Sequence, residues 1–153
     1  MYDYKQINEV HLEVTQRCNA SCPMCDRNEN GGAVNQHIKN NLQELTLDDC
    51  IDIFPHDFIA QLKTMYMCGN LGDPISARDT LEIFQWFRDC NPNMWLSMNT
   101  NAGARDPDWW AEVAKVIGRN GCVIFSVDGL ENTNHLYRQG VQWDKVERNM
   151  KAF

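Results

Sequence analysis

The sequence has no run of apolar residues near the ~18 needed to cross a bilayer as a helix. It has no excess of basic charge either, with 14 lysines and arginines against 21 aspartates and glutamates and a net charge of −7. The first absence excludes a membrane-spanning helix. The second leaves no basic footprint for a nucleic-acid backbone or an anionic membrane surface. A secretory leader pattern is also missing, because Met1-Tyr2-Asp3-Tyr4-Lys5-Gln6 is polar and no apolar run follows it. No linker, low-complexity tract or charge block divides the 153 residues, so one domain is expected over residues 1–153. Nor do the cysteines form a secreted disulfide framework: there are seven, an odd number, with three inside one eight-residue stretch. Thiols clustered in this way are expected in a reducing cytoplasm, where they bind metal or do redox chemistry.

Four short strand-like runs recur at intervals of roughly 30 residues, each followed by a helical pattern. They are Val10–Val14, Thr64–Cys68, Met94–Asn99 and Cys122–Asp128, the last with the strongest β composition. Thr46-Leu47-Asp48-Asp49 resembles a capping box, and Leu47, Ile51, Phe54 and Phe58 follow at helical spacing, predicting one helix. Leu81, Phe84, Phe87 and Arg88 predict a second, stopped by Asn91-Pro92. Asp106-Pro107 starts a third through Trp110, Val113, Ala114 and Ile117. Trp143, Val146, Met150 and Phe153 mark a fourth. Strands alternating with helices predict an α/β fold with a parallel sheet, an open sheet or a partial barrel of about four βα units. Residues 27–45, polar and asparagine-rich, are expected to be a mobile loop or insertion.

Alternation within the strands places function. Val10, Leu12 and Val14 share one face, as do Val123, Phe125 and Val127. The opposite positions carry His11, Glu13, Ser97, Asn99, Ser126 and Asp128. Helices must cover the apolar face, and folds of this class put their site at the carboxyl ends of the strands. Immediately after the first strand comes Cys18-Asn19-Ala20-Ser21-Cys22-Pro23-Met24-Cys25, a C-x3-C-x2-C spacing. Three thiolates suit a soft metal or an iron–sulfur cluster. Four irons held by three cysteines leave one iron without a protein ligand, and so open to chemistry. Structural zinc is the competing reading, but it usually takes four ligands from paired units, and His11, His37 and His56 lack that spacing to the trio. A non-catalytic iron–sulfur or zinc module therefore stays open beside a catalytic one. Cys50, Cys68, Cys90 and Cys122 sit in apolar patterns and read as small buried hydrophobes. Trp109 and Trp110, being adjacent, cannot both face inward.

The trio resembles the radical S-adenosylmethionine (SAM) family, whose signature is C-x3-C-x-Φ-C, with Met24 in the Φ place. The resemblance, to peptide-modifying and maturase-like members, extends along the chain. Glu13-Val14-Thr15-Gln16-Arg17-Cys18-Asn19 is similar to the family's strand-to-loop entry. Cys68-Gly69-Asn70-Leu71-Gly72-Asp73-Pro74 is similar to its Gly-Gly-Glu-Pro segment, and Ser97-Met98-Asn99-Thr100-Asn101-Ala102 to its Thr-Asn-Gly strand end. Ser126-Val127-Asp128-Gly129-Leu130 with Tyr137-Arg138-Gln139-Gly140 is similar to its fourth-strand segment.

This resemblance implies a partial barrel in which Cys18, Cys22 and Cys25 hold a 4Fe-4S cluster and SAM binds beside it. Gly72 would let backbone approach the methionine moiety, and Asp73 would accept from its ammonium. Asn99, Ser126 and Arg138 would meet ribose and carboxylate, and Met24 would pack by the adenine. It further implies cleavage of SAM to a 5′-deoxyadenosyl radical, a flavodoxin- or ferredoxin-type electron donor, and a peptide or protein as substrate. Two motifs differ from the family pattern: Asp73 replaces glutamate, and Asn70-Leu71 separate the two glycines. Four βα units stand where the family has six, so a fragment, a split enzyme completed by another chain or a second copy, and a minimal member are all open.

Overall fold

The computed structural model describes residues 3–153. Its four strands, β1 (Glu9–Leu12), β2 (Thr64–Met67), β3 (Trp95–Thr100) and β4 (Gly121–Phe125), form one sheet in chain order. Every pairing is parallel. This is the expected α/β architecture, with crossovers built from α2 (Leu47–Ile53) and α3 (His56–Gln61), α4 (Thr80–Cys90) and α5 (Pro107–Ile117). α6 (Asn134–Tyr137) and α7 (Trp143–Ala152) follow β4, and α1 (Gln36–Asn40) precedes α2.

The period of two sorts each strand. Leu12, Met65, Met67, Leu96 and Met98 are all under 5% exposed and face Ile83, Phe84 and Phe87 of α4 and Trp110, Val113 and Ile117 of α5. Fully burying a side chain of this size stabilises by on the order of 2 kcal/mol, so this face anchors the domain. On the other face the register aligns His11, Tyr66, Ser97 and Cys122 in one row, and Asn99 with Ile124 in the next. That face is open: the His11 and Tyr66 rings stack at 4.5 Å, and Trp95 and Ile124 are exposed. Trp110 is fully buried, whereas Trp109 is half-buried beneath the Arg105 guanidinium, 5.1 Å from its ring centroid.

Local chemistry sets the element ends. Asp106 accepts from Trp109 N at 2.9 Å, Pro107 takes the first helical position, and Gly118 ends α5 at φ 56°. Arg88 on α4 gathers the carbonyls of Pro92, Met94, Val116, Ile117 and Asn120 with one guanidinium, tying the end of α5 to the start of β3. At the start of α2, Thr46 and Asp49 form a reciprocal capping box, and Asp79 accepts from Leu47 N at 3.0 Å. Both carboxyls are held below their ordinary range, Asp49 by the Thr46 hydroxyl and Asp79 by Arg78. A depressed carboxyl stabilises the fold above its unfolded value of 3.8 and loses that contribution as pH falls through the lower folded value. Asp79→Asn should therefore melt lower than wild type at neutral pH, and circular dichroism melts should show that gap closing as pH falls below 3.8.

Three expectations need correction. The single helix predicted over Leu47–Phe58 is two, because Pro55 has no N–H to continue the ladder and holds Phe54 extended at φ −115°, ψ 91°. Residues 27–45 are not a plain loop: they contain α1 and are tied to the exit of β1. Thr15 and Glu44 form an antiparallel bridge, as do Asn28 and Val34, and Asn35 caps α1 through His37 N. The fourth strand stops at Phe125, short of Asp128, because Val127 N turns back to the Phe125 carbonyl; Val127 is consequently 37% exposed and off the core face.

Candidate functional site

Four loops leave the carboxyl ends of the strands and meet around the cysteine segment. The 18–25 loop is closed by Cys25 N on the Cys22 carbonyl at 3.2 Å and docks on the last loop through Ser21 N to the Gln139 carbonyl at 2.8 Å. Gly140, at φ 86°, lies so close to the Asn19 carbonyl that an added Cβ would stand 2.9 Å from it. The loop after β2 is fixed from the first strand: Glu13 accepts from Asn70 N at 3.1 Å, and Asp73 N donates to the Arg17 carbonyl at 2.8 Å. Gly72 presses against the Thr15 carbonyl so tightly that any Cβ would overlap it. The backbone approach that makes glycine necessary here is therefore internal.

Asp73 is buried. Its carboxylate accepts from Ile75 N at 3.2 Å and Asn101 N at 2.8 Å, and burial raises its pKa. The Thr100 side chain is a third donor to it, which leaves acceptor capacity for one more. Asn101, only 4% exposed, joins three segments. Its side-chain amide donates to Asn19 Oδ1 at 3.0 Å and reaches Cys18 Sγ at 3.6 Å, and its Oδ1 accepts from Gly103 N at 2.7 Å.

The three thiols differ in their surroundings. Cys18 accepts from Ala20 N at 3.4 Å, yet burial pushes its pKa up to about 11, with the Asp73 charge adding to the rise. Burial also raises Cys22, opposed by Arg138, whose Nη1 lies 3.6 Å from the sulfur. Cys25 is half-buried, and Met24 beside it is 83% exposed. Asn99 reaches Cys68 Sγ at 3.5 Å, and Ser126 N holds the Thr100 carbonyl at 2.7 Å. Arg138 reaches Asp128 and Cys22 together, so the side chain that the resemblance places at a SAM carboxylate already has two partners.

Among the described residues, no three His, Cys, Asp or Glu side chains are gathered closely enough to hold a single metal ion. A cubane cluster spaces its thiolates more widely than one ion does. The donor set fits it: three thiols on one loop, N–H groups from Ala20, Asn101 and Arg138 directed at their sulfurs, and the buried Asn19 Nδ2 without a partner. Sequence reasoning picked the thiols but passed over Asn101 and buried Arg27, which donates to the Gln16 carbonyl at 3.0 Å and, as a charge, lowers the Cys18 pKa.

No protein-family model and no curated protein matches the sequence. Solved structures do. The chain aligns with anSMEcpe, an anaerobic sulfatase-maturating enzyme of the radical SAM class, in a structure with bound AdoMet and the Cp18Cys peptide. The TM-score is 0.67 at 19% identity, over 95% of this chain and 39% of that one. A histidine-tagged form of the same protein with bound AdoMet gives 0.68 at 19% identity, again over 95% of this chain and 39% of that one. The chain shares the α/β fold of part of these structures, which are radical SAM enzymes with a partial barrel. The chain spans about two-fifths of the length of these structures. Among the described residues, no helix is long and apolar enough to cross a membrane.

Proposed function

We propose that this chain is the cluster- and SAM-binding part of a radical SAM enzyme that acts on a peptide or protein. The support is a coincidence of fold and chemistry: the loop leaving β1 of an α/β fold shared with radical SAM enzymes carries three cysteines with N–H donors directed at their sulfurs. Cys18, Cys22 and Cys25 would hold the cluster. When bound, a 4Fe-4S cluster supplies the electron that cleaves SAM to methionine and a 5′-deoxyadenosyl radical for hydrogen abstraction.

The chain's own residues provide binding and order. Asp73, with acceptor capacity left, would take the SAM ammonium. Asn99 and Ser126 line the same strand ends for the ribose, and exposed Met24 is free to cover the adenine. The bound peptide in an anSMEcpe structure supports the substrate class. A low-potential flavodoxin or ferredoxin would deliver electrons. Further strands, from a second chain or a second copy, would add at the edge of β4, which within the described residues pairs with β3 alone.

The test is anaerobic reconstitution of the chain, counting iron and sulfide, then SAM and dithionite with chromatography for 5′-deoxyadenosine. A brown protein with close to four irons, forming deoxyadenosine that vanishes in Cys22→Ala, is expected. A cluster without deoxyadenosine would assign SAM cleavage to an assembly with another chain. A colourless protein with one zinc per chain would overturn the proposal.

A further inference from the structure

We infer that Arg138 is the cationic hydrogen-bond donor that sets the reduction potential of the proposed cluster through Cys22, with Asp128 as its positioning residue. The inference rests on the cluster reading above.

The geometry leaves the guanidinium little freedom. Its Nε meets Asp128 Oδ2 at 2.5 Å, and its Nη1 points at Cys22 Sγ at 3.6 Å, within the range of an N–H···S bond. Its Cζ lies 5.4 Å from the centre of the Tyr137 ring. The side chain is 22% exposed, so solvent screens its charge only in part. The backbone around it is fixed as well: Arg138 N donates to the Asn134 carbonyl at 2.8 Å, and Val141 N returns to the Arg138 carbonyl at 3.0 Å. The next residue, Gln139, accepts from Ser21 N inside the cysteine loop. The strand-end loop and the cysteine loop are therefore one unit, and within it Asp128 holds the guanidinium toward the Cys22 sulfur.

The three sulfurs are unequal as a result. Cys18 has two neutral donors, from Ala20 N and Asn101 Nδ2. Cys22 alone has a cationic one, while Cys25 receives no N–H among the described residues. Hydrogen bonds to cluster sulfurs and local charge are the protein's main means of moving an iron–sulfur potential. A fixed positive charge at a ligand sulfur favours the state with one more electron. Arg138 thus makes the cluster easier to reduce by a low-potential donor. A lysine could keep the charge but would lose the planar fork that spans Asp128 and Cys22 at once.

The experiment is an optical redox titration of the anaerobically reconstituted full chain, wild type against Arg138→Gln and Arg138→Lys, with iron content and SAM affinity measured in parallel. Arg138→Gln should keep its iron and show a roughly tenfold lower ratio of reduced to oxidised cluster at a fixed poise, ~59 mV more negative for one electron. Arg138→Lys should fall between that and wild type; should the glutamine variant not fold, a wild-type potential in the lysine variant overturns the inference. An unchanged potential in Arg138→Gln together with weaker SAM binding also overturns it, and assigns Arg138 to the SAM carboxylate. Wild-type protein that takes up no iron fails earlier, and overturns the cluster reading itself.

Discussion

Replacing Gly72 with alanine should leave little folded protein. A Cβ at this position would overlap the Thr15 carbonyl oxygen, and would stand 2.8 Å from the Thr15 carbonyl carbon and 2.9 Å from the Arg17 carbonyl oxygen. All three atoms are backbone, so no side chain can swing aside. Neither segment can recede independently. Arg17 N is held by Thr15 Oγ1 at 3.1 Å, and the Arg17 carbonyl accepts from Asp73 N, the residue after the glycine itself. On the far side, Gly69 has no room to yield, because its own Cβ position is filled by the Gly72 carbonyl. Relief requires unzipping the β2 exit from the β1 exit, which strips Asp73 of its place and opens the entry to the cysteine loop. Overpacking ordinarily destabilises by ~1–3 kcal/mol. With no flexible neighbour the loss should exceed about 4 kcal/mol, in the exceptional range for a single substitution. Urea unfolding of Gly72→Ala beside Gly32→Ala provides the check. Gly32 is exposed, and a Cβ there meets only the Glu29 carbonyl, at 3.2 Å. The second variant should resemble wild type; similar midpoints for both would refute the steric argument.

The contrast between these glycines shows which parts of the structure were legible in the chain and which were not. The strand runs and their apolar faces could be read because that signal is periodic and local: Val10 and Leu12, like Val123 and Phe125, repeat at the spacing a half-covered strand imposes. The α5 start could be read because Asp106-Pro107 acts on its own neighbours. Cys18, Cys22 and Cys25 stood out because their spacing is meaningful without any partner. What escaped depends on distant residues. The tie between residues 27–45 and the exit of β1 comes from Glu44, which binds Thr15 Oγ1 at 3.0 Å and Arg17 Nε at 3.2 Å, and from buried Arg27. Nothing in an asparagine-rich composition announces those contacts. Arg88 looked like one more polar residue at the end of a helix, yet its partners include carbonyls of α5 and of the turn before β3. The break between α2 and α3 is different, since Pro55 was in plain view and the helical spacing of Phe54 and Phe58 outweighed it. The two rings still stack at 6.0 Å, so the apolar pattern served packing although the backbone is interrupted.

Asn101→Ala should weaken both the fold and the retention of any cluster. Its amide hydrogen-bonds the cysteine loop from the β3 exit, with Asn19 lying 82 residues earlier in the sequence. Truncation strands Gly103 N, which loses its acceptor at 2.7 Å, and the Asn19 side-chain carbonyl oxygen, which loses its donor. Asn19 Nδ2 is already buried without a partner, so the whole Asn19 amide would then be unsatisfied. Each buried polar group left unpaired costs about 1–3 kcal/mol. A loss near ~3 kcal/mol is expected from two such groups, lowering the melting temperature by roughly 10 °C for a domain of this size. Asn101→Asp separates the two roles of the side chain. A carboxylate still accepts from Gly103 N, so part of the stability should return. It offers no N–H to Cys18 Sγ or to Asn19, and it adds a second negative charge near Asp73, which already raises the Cys18 pKa. Iron bound per chain after desalting should therefore stay low in Asn101→Asp even where its melting temperature recovers. If iron content instead follows the melting temperature in both variants, Asn101 only holds the loops together, and the Cys18 contact does nothing for the metal.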